Sequence, residues 1–164
     1  MIYFINYFFI FSIIGHFIET FFVSNFTSGI LYGWWTPVYG FGAVLILLIG
    51  KVIDKFNLKG KRIFKILITY LLCMIILSLI ELIGGYLIKF IFDRELWNYE
   101  KHKFNIGHYI SLETANMWGI ASILVIYIIK PIIDKIEKYI PKFVTYILVF
   151  LFIVDIGCTI VLKK

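Results

Sequence analysis

The sequence predicts an all-α protein, a polytopic bundle of about five transmembrane helices. Of its 164 residues, 62% are hydrophobic, whereas 16% are charged. An average soluble domain is roughly 45–50% apolar, so composition alone excludes an ordinary soluble domain. A chain of this length has room for four or five spans of roughly 20 residues each, with short connections. We therefore expect a single transmembrane domain over residues 1–164, placed in the cell membrane.

Five apolar stretches define the expected spans. They lie at about Tyr3–Val23, Val38–Ile53, Phe64–Phe92, Leu112–Ile129 and Phe143–Leu162. The first is expected to be a mature helix rather than a signal peptide, because it lacks a basic n-region and a small-residue cleavage pattern. Cys73 and Cys158 lie in different spans and are expected to stay reduced, so they predict neither a disulfide nor a metal site.

The charges of the connections orient the bundle. Lys51–Lys65 has six basic residues and one acidic residue, and Lys130–Lys142 has four lysines and two acidic residues. The positive-inside rule makes both segments cytoplasmic. The amino terminus is then cytoplasmic, and the connections Ser24–Pro37 and Asp93–Ser111 face outward together with the carboxyl terminus. No stripe of Lys or Arg lies outside these junctions, so no nucleic-acid partner is predicted despite a net charge of +6.

The first outward connection, Ser24–Pro37, has no charged residue. Trp34, Trp35 and Tyr39 are typical of the headgroup layer of a membrane. Non-helical backbone at that depth is tolerated only where it is buried in protein or lines a polar cavity. Two interpretations stay open, a partly re-entrant loop folded back into the bundle and an interfacial loop with an aromatic belt.

Two similar segments indicate an internal repeat. Phe26-x-x-Gly29-Ile30-Leu31-Tyr32 followed by Tyr39-Gly40 resembles Phe104-x-x-Gly107-His108-Tyr109 followed by Trp118-Gly119. The halves would be residues 1–57 and 62–133, with the helix 143–162 outside them. They would form helix hairpins running in the same direction, as in transporters built from parallel repeats.

Glu19 and Glu81 are the first candidates for a functional site, since each lies in an apolar span before one of the similar loops. A charge near the bilayer centre costs at least ~2.5 kcal/mol on insertion scales, so by default it marks a functional site. In the repeat arrangement the two would face each other across a central cleft.

His16 shares a helix face with Glu19. The pair could relay protons, or it could simply satisfy the hydrogen bonds of its own polar groups and of a neighbouring helix. Gly84 and Gly85 follow Glu81 and favour close helix packing.

Other polar residues add weaker candidates. Asp93–Lys103 is nearly balanced in charge and is expected to be a wet outer loop. His102, His108 and Glu113 add possible ligands, but no HExxH or comparable spacing supports a metal site. Asp155 lies outside the repeat and is expected to pair with a donor of the bundle. The predicted substrate- or ion-binding residues are Glu19, Glu81, His16, Tyr39, Trp35, Asn105 and Glu113, and no catalytic residue, metal or cofactor is predicted.

These segments resemble a bacterial family of small integral membrane proteins labelled "putative ABC-transporter permeases", the CmpB type. Gly29–Gly33 followed by Pro37–Gly42 is similar to its "GFLYGP..PIYGFG" segment. Further matches are Gly15-x-x-x-Glu19 in the first span, Glu81 in the third, Leu96–Tyr99 with Phe104–Ile106 in the outer loop, and Tyr109–Leu112 with Trp118-Gly119 at the fourth span. The likeness covers roughly residues 15 to 119. His16, the triplet Trp34-Trp35-Thr36 and His108 depart from the family's pattern, which puts a shared substrate in doubt.

The resemblance implies a membrane transport protein, whereas the residues themselves leave three functions open. In the first, the chain is the permease subunit of an ATP-driven system, whose outward-facing cleft holds a proton, an ion or a cationic substrate between Glu19 and Glu81. The chain has no Walker motif, so ATP coupling would need a separate subunit. In the second, it is an intramembrane enzyme acting on a lipid or lipid-linked substrate, with His16 or His108 beside a carboxylate base. In the third, it is an accessory or assembly protein whose charges fix helix pairing. Membrane lipids are partners in all three.

Overall fold

The computed structural model describes residues 1–23, 29–56 and 62–163. The helices are α1 (Ile2–Ile18), α2 (Pro37–Lys55), α3 (Arg62–Phe92), α4 (Leu112–Leu124), α5 (Lys130–Glu137) and α6 (Lys142–Leu162). π-Helical turns follow α1 at Glu19–Val23 and join α4 to α5 at Val125–Ile129. A short antiparallel hairpin pairs β1 (Asn105–Ile106) with β2 (Ile110–Ser111). The predicted all-α class is confirmed, since the hairpin is the only sheet among these residues.

Five helical stretches in the described part of the chain are long and apolar enough to cross a membrane. They are Ile2–Phe21, Pro37–Lys55, Arg62–Phe92, Leu112–Glu137 and Lys142–Leu162. The predicted fourth span was too short, because the helix continues past Ile129 to Glu137. Pro131 lies in the first turn of α5, where a missing backbone N–H does little harm, and the π-helical turn before it loosens the hydrogen-bond ladder.

The core lies where α1, α2, α3 and the fourth span meet. α2 packs between α1 and α3, α4 packs on α3, and α6 packs on α1 at the edge of the bundle. The buried core residues are Tyr7, Phe11, Ala43, Ile46, Leu47, Ile49, Ile53, Cys73, Leu77, Val125 and Ile133. α6 keeps most of its apolar side chains exposed, as expected for a helix whose outer face contacts lipid.

The described parts of the two lysine-rich segments lie at one end of the bundle, which we call the basic end. There the Tyr7 hydroxyl donates to Asp134 Oδ1 at 2.7 Å, and Lys51 Nζ lies 4.3 Å from the centre of the Phe4 ring. The start of α1, the end of α2 and α5 are therefore neighbours. This agrees with the expectation that both lysine-rich segments share one side. Which side of the membrane that is stays a prediction.

Candidate functional site

The described part of the first outer connection folds back into the bundle. The Thr36 backbone N–H donates to the carbonyl of Ser12, in the middle of α1, at 2.9 Å. The Trp35 side chain is 9% exposed, and its ring packs edge-on against Phe9 of α1 and Phe152 of α6, with centroids 6.2 and 5.7 Å away. Of the two interpretations, this favours the re-entrant loop from Gly29 onward. Residues 24–28 lie outside the described residues.

Asp155 of α6 holds this re-entrant loop. Its Oδ1 accepts hydrogen bonds from the Tyr32 backbone N–H at 2.9 Å and the Thr159 hydroxyl at 3.1 Å. Its Oδ2 accepts from the Gly33 backbone N–H and from Trp35 Nε1, both at 2.7 Å. A carboxylate and unpaired backbone N–H groups are each costly at membrane depth, and here they satisfy each other. Trp35, predicted to bind substrate, therefore lies against Asp155.

Glu19 and Glu81 come together near the opposite end of the bundle from Asp134. Tyr39 donates to Glu19 Oε1 at 2.6 Å, while Tyr99 and Trp118 Nε1 donate to Glu81 at 2.8 and 3.0 Å. The Tyr39 and Trp118 rings are 5.8 Å apart between centroids. The contact between these two rings joins the glutamate of the first span to the glutamate of the third. We call Glu19, Tyr39, Glu81, Tyr99 and Trp118 the acidic cluster.

The helices position these side chains by close packing. Gly15 lies one turn before Glu19, and a Cβ at Gly15 would overlap the ring of Tyr39. Only glycine therefore lets the Tyr39 ring lie against α1, from where its hydroxyl reaches Glu19. On α3, Glu81 follows the buried Leu77 by four residues, so it continues the core-facing stripe of that helix.

The donors of the acidic cluster are neutral groups. Glu81 is 6% exposed, and it accepts from a phenol and an indole rather than from a cation. Partial burial, followed by the neighbouring Glu81 carboxylate, raises the pKa of the Tyr99 phenol, so this hydroxyl stays protonated and can donate at neutral pH. Neutral donors stabilise a carboxylate without cancelling its charge. Two carboxylates joined through such neutral aromatic donors are suited to bind a proton or a cation.

Three other predicted site residues lie in different surroundings. His16 is half-buried on α1, three residues before Glu19. The Asn105 amide donates to the Gly107 carbonyl at 3.1 Å within the outer hairpin. Glu113 contacts His102 at the exposed surface. Asn105 thus belongs to the outer hairpin and Glu113 to the first turn of α4, rather than to the acidic cluster.

His108, the alternative partner of a catalytic carboxylate, lies 2.9 Å from Glu100 and is exposed. Among the residues that the structure describes, no group of three or more His, Cys, Asp or Glu side chains could hold a metal ion.

Sequence reasoning missed Tyr99 and Trp118 as members of the cluster. The sequence did contain a signal for Trp118, because the proposed repeat aligns Trp118 with Tyr39. In the structure, each of these two residues donates a hydrogen bond to the glutamate of the preceding span. The repeat also equates Gly29 with Gly107, and both have a positive φ, of 72° and 65°. These shared features support the repeat, although its Phe26 lies outside the described residues. The division into halves 1–57 and 62–133 stays a prediction.

An apolar groove of about 470 Å³ opens between α3, α4 and the outer hairpin. It lies on the side of α3 turned away from the bundle core. Its walls are formed by Met74, Ile75, Ser78, Leu79, Phe104, Asn105, Ile106, Ile110, Ser111, Leu112 and Ala115. The polar side chains of Asn105 and Ser111 lie on the hairpin, and the α3 wall is almost entirely apolar.

Five membrane-length helices, with the buried Glu81 and the half-buried Glu19 on two of them, define a multi-pass α-helical membrane protein. A family model matches residues 6–160, nearly the whole chain, and the chain belongs to the family described as "putative ABC-transporter type IV". The predicted family is thereby confirmed, and the chain is a membrane transport protein. No curated protein and no solved structure matches it significantly.

Proposed function

We propose that this protein is the permease subunit of an ABC-type system, and that its substrate or a coupling ion binds at the acidic cluster. One observation carries the proposal: Glu19 and Glu81, from separate spans, are held together at membrane depth by neutral donors. An ionisable residue in that position marks a transport pathway more often than a purely structural contact. The ligand class that fits is a proton, an inorganic cation or the cationic group of a small molecule.

The loops around the acidic cluster are placed where a permease would admit its ligand. The re-entrant loop and the outer hairpin both lie at the end of the bundle opposite the basic end, where they border the acidic cluster. Aromatic side chains of the cluster, Tyr39, Tyr99 and Trp118, fill the space between the two carboxylates and would have to shift when a ligand enters. ATP hydrolysis would come from a separate subunit, since the chain has no nucleotide-binding motif of its own.

Substitution of the two glutamates tests this proposal. Glu19→Gln and Glu81→Gln keep the size of each side chain but remove the charge, so uptake or export by the reconstituted system should fall at least about tenfold in each. The matched control is Asp54→Asn, which removes an exposed carboxylate at the basic end and should leave transport unchanged. Thermal unfolding in detergent distinguishes the permease proposal from the accessory-protein alternative. The alternative predicts that the two glutamine variants are less stable but still transport normally. Unchanged transport in both glutamine variants would contradict the permease proposal.

The apolar groove favours one second candidate, an intramembrane enzyme that acts on a lipid or lipid-linked substrate. A mostly apolar groove of about 470 Å³ between α3, the start of α4 and the outer hairpin fits an acyl or isoprenoid chain. Glu81, on the neighbouring face of α3, would be the carboxylate base. Mass spectrometry of lipid extracts from cells with and without the protein tests this candidate. Identical extracts would count against it.

A further inference from the structure

The outermost helix, α6, has a polar connection to the re-entrant loop that its apolar packing does not require. Asp155 is 9% exposed in the middle of this helix, and it accepts four hydrogen bonds. Three of those bonds come from residues 32–35. We propose that Asp155 is a positioning residue, which fixes the depth of the re-entrant loop and thereby holds Tyr39 against Glu19.

The chemistry of the contact requires a carboxylate. The backbone N–H groups of Tyr32 and Gly33 point at different oxygens of Asp155, and the Trp35 indole shares the second oxygen. An asparagine has only one acceptor oxygen, so its NH₂ group would face at least one of these donors. Glutamate would move the carboxylate outward by one methylene. The site is therefore specific for aspartate.

A continuous path of contacts leads from Asp155 to the acidic cluster. Trp35 fills the space between α1 and α6, and the Thr36 N–H is fixed on the Ser12 carbonyl. Pro37 then begins α2. Tyr39 lies one helical turn after Trp35 in the chain, so a loop that moves outward carries the first turn of α2 with it.

A second tether from α6 reaches the same loop. Lys163 Nζ donates to the Ile30 carbonyl at 2.6 Å and lies 4.0 Å from the centre of the Tyr32 ring. The loop is therefore bound by an anionic side chain within α6, Asp155, and by a cationic one just after its end, Lys163. This gives the fifth span, which lies outside the proposed repeat, a defined role.

Disulfide cross-linking measures the placement of Tyr39 directly. A Cβ at Gly15 would lie 2.6 Å from Tyr39 Cβ, whereas the two Cβ atoms of a disulfide lie about 3.5–4.5 Å apart. The variant Gly15→Cys/Tyr39→Cys can therefore form a disulfide once α1 and α2 separate by about 1 Å. In a Cys158→Ala background, we expect rapid cross-linking under mild oxidation. Adding Asp155→Asn should slow the initial rate about tenfold or more, because it leaves buried donors without an acceptor.

Two controls separate positioning from general stability. Thr145→Val removes one α6 hydrogen bond at the other end of the helix, to Asn6, and should leave the cross-linking rate unchanged. Reaction of the fully buried Cys73 with N-ethylmaleimide reports opening of the whole bundle, and it should not change with Asp155→Asn. Trp35→Phe should slow cross-linking when Asp155 is present and have a smaller effect when it is combined with Asp155→Asn, since the shared bond is then already lost.

An unchanged cross-linking rate in Asp155→Asn would overturn the proposal. So would a parallel rise in Cys73 reactivity, because Asp155 would then stabilise the bundle as a whole. The importance of Tyr39 for transport rests on the proposed function, but the cross-linking rate does not. Failure of the transport assay would therefore leave this result standing, and failure of the cross-linking test would leave the acidic cluster as the proposed ligand site.

Discussion

Carboxylates at membrane depth are accommodated in two ways in this chain. Asp155 accepts bonds from backbone N–H groups of a loop, whereas in the described part of the chain Glu81 accepts bonds from the side chains of Tyr99 and Trp118. Backbone donors cannot rotate away without moving the loop, but aromatic side chains can change rotamer. Asp155 is therefore suited to a permanent structural contact, and Glu81 to a site whose partners change.

The indole N–H of Trp118 should contribute measurably to the stability of the acidic cluster. Trp118→Phe keeps an aromatic ring beside Tyr39 but leaves a buried oxygen of Glu81 without its donor. We expect a loss of about 1–3 kcal/mol in the free energy of unfolding, measured by thermal or denaturant unfolding in detergent. Trp34→Phe is the control, because Trp34 is 71% exposed and should change stability by less than about 0.5 kcal/mol. Equal effects of the two substitutions would contradict a specific role for Trp118.

The sequence was informative about individual residues where a physical cost made them conspicuous. Glu19 and Glu81 stand out because charge in an apolar span needs a reason, and the structure brings them together with Tyr39. Asn105 and Glu113 were less predictable, since polar residues in a wet outer loop have many alternative partners. Asn105 bonds Gly107 inside the outer hairpin, and Glu113, in the first turn of α4, contacts His102 of the preceding connection.

At the scale of elements, apolar length predicted the spans, but it predicted neither where a helix continues nor how deep a loop lies. The helix after Val125 continues to Glu137, where Ile133 packs in the core and Asp134 accepts hydrogen bonds from Tyr3 and Tyr7 of α1. A hydropathy average over Lys130–Lys142 is lowered by its four lysines and two acidic residues, so the sequence predicted a connection where α5 is helical. The depth of the re-entrant loop depends on Asp155, more than 120 positions away in sequence, which no local pattern could show.

Close packing of α1 and α2 should depend on Gly40. A Cβ there would lie 2.6 Å from the backbone carbonyl oxygen of Phe8, which cannot move aside as a flexible side chain could. We expect Gly40→Ala to destabilise the protein by about 1–3 kcal/mol through overpacking. The same substitution at Gly157 meets no atom within 4 Å and should be neutral or stabilising, because alanine favours a helix. Melting temperatures of the two variants in one detergent decide the matter, and a stable Gly40→Ala would refute the packing argument.

At the scale of the whole molecule, the two ends of the bundle differ in the segments that they hold. The amino terminus and both lysine-rich segments lie at the basic end, and the re-entrant loop, the outer hairpin and the end of α6 lie at the other. The class of fold and this arrangement of ends followed from composition and loop charge alone. The order in which the helices pack, with α2 between α1 and α3, came from side-chain contacts that hydropathy does not encode.

The basic end should face the cytoplasm. Lys51–Lys65 has six basic residues against one acidic residue, whereas the connection Asp93–Ser111 has three of each. Positively charged connections are retained on the cytoplasmic side, while a neutral one crosses readily. In a Cys158→Ala background, a membrane-impermeant maleimide should label Lys101→Cys in intact cells and Lys55→Cys only after permeabilisation.

The reverse labelling pattern would show that loop charge does not set the topology of this chain. It would also turn the acidic cluster and the re-entrant loop toward the cytoplasm. A ligand at Glu19 and Glu81 would then enter from inside the cell, and an ATPase subunit would meet the end of the bundle that holds the outer hairpin. The labelling experiment therefore tests the orientation on which the proposed direction of access depends, without needing the substrate to be known.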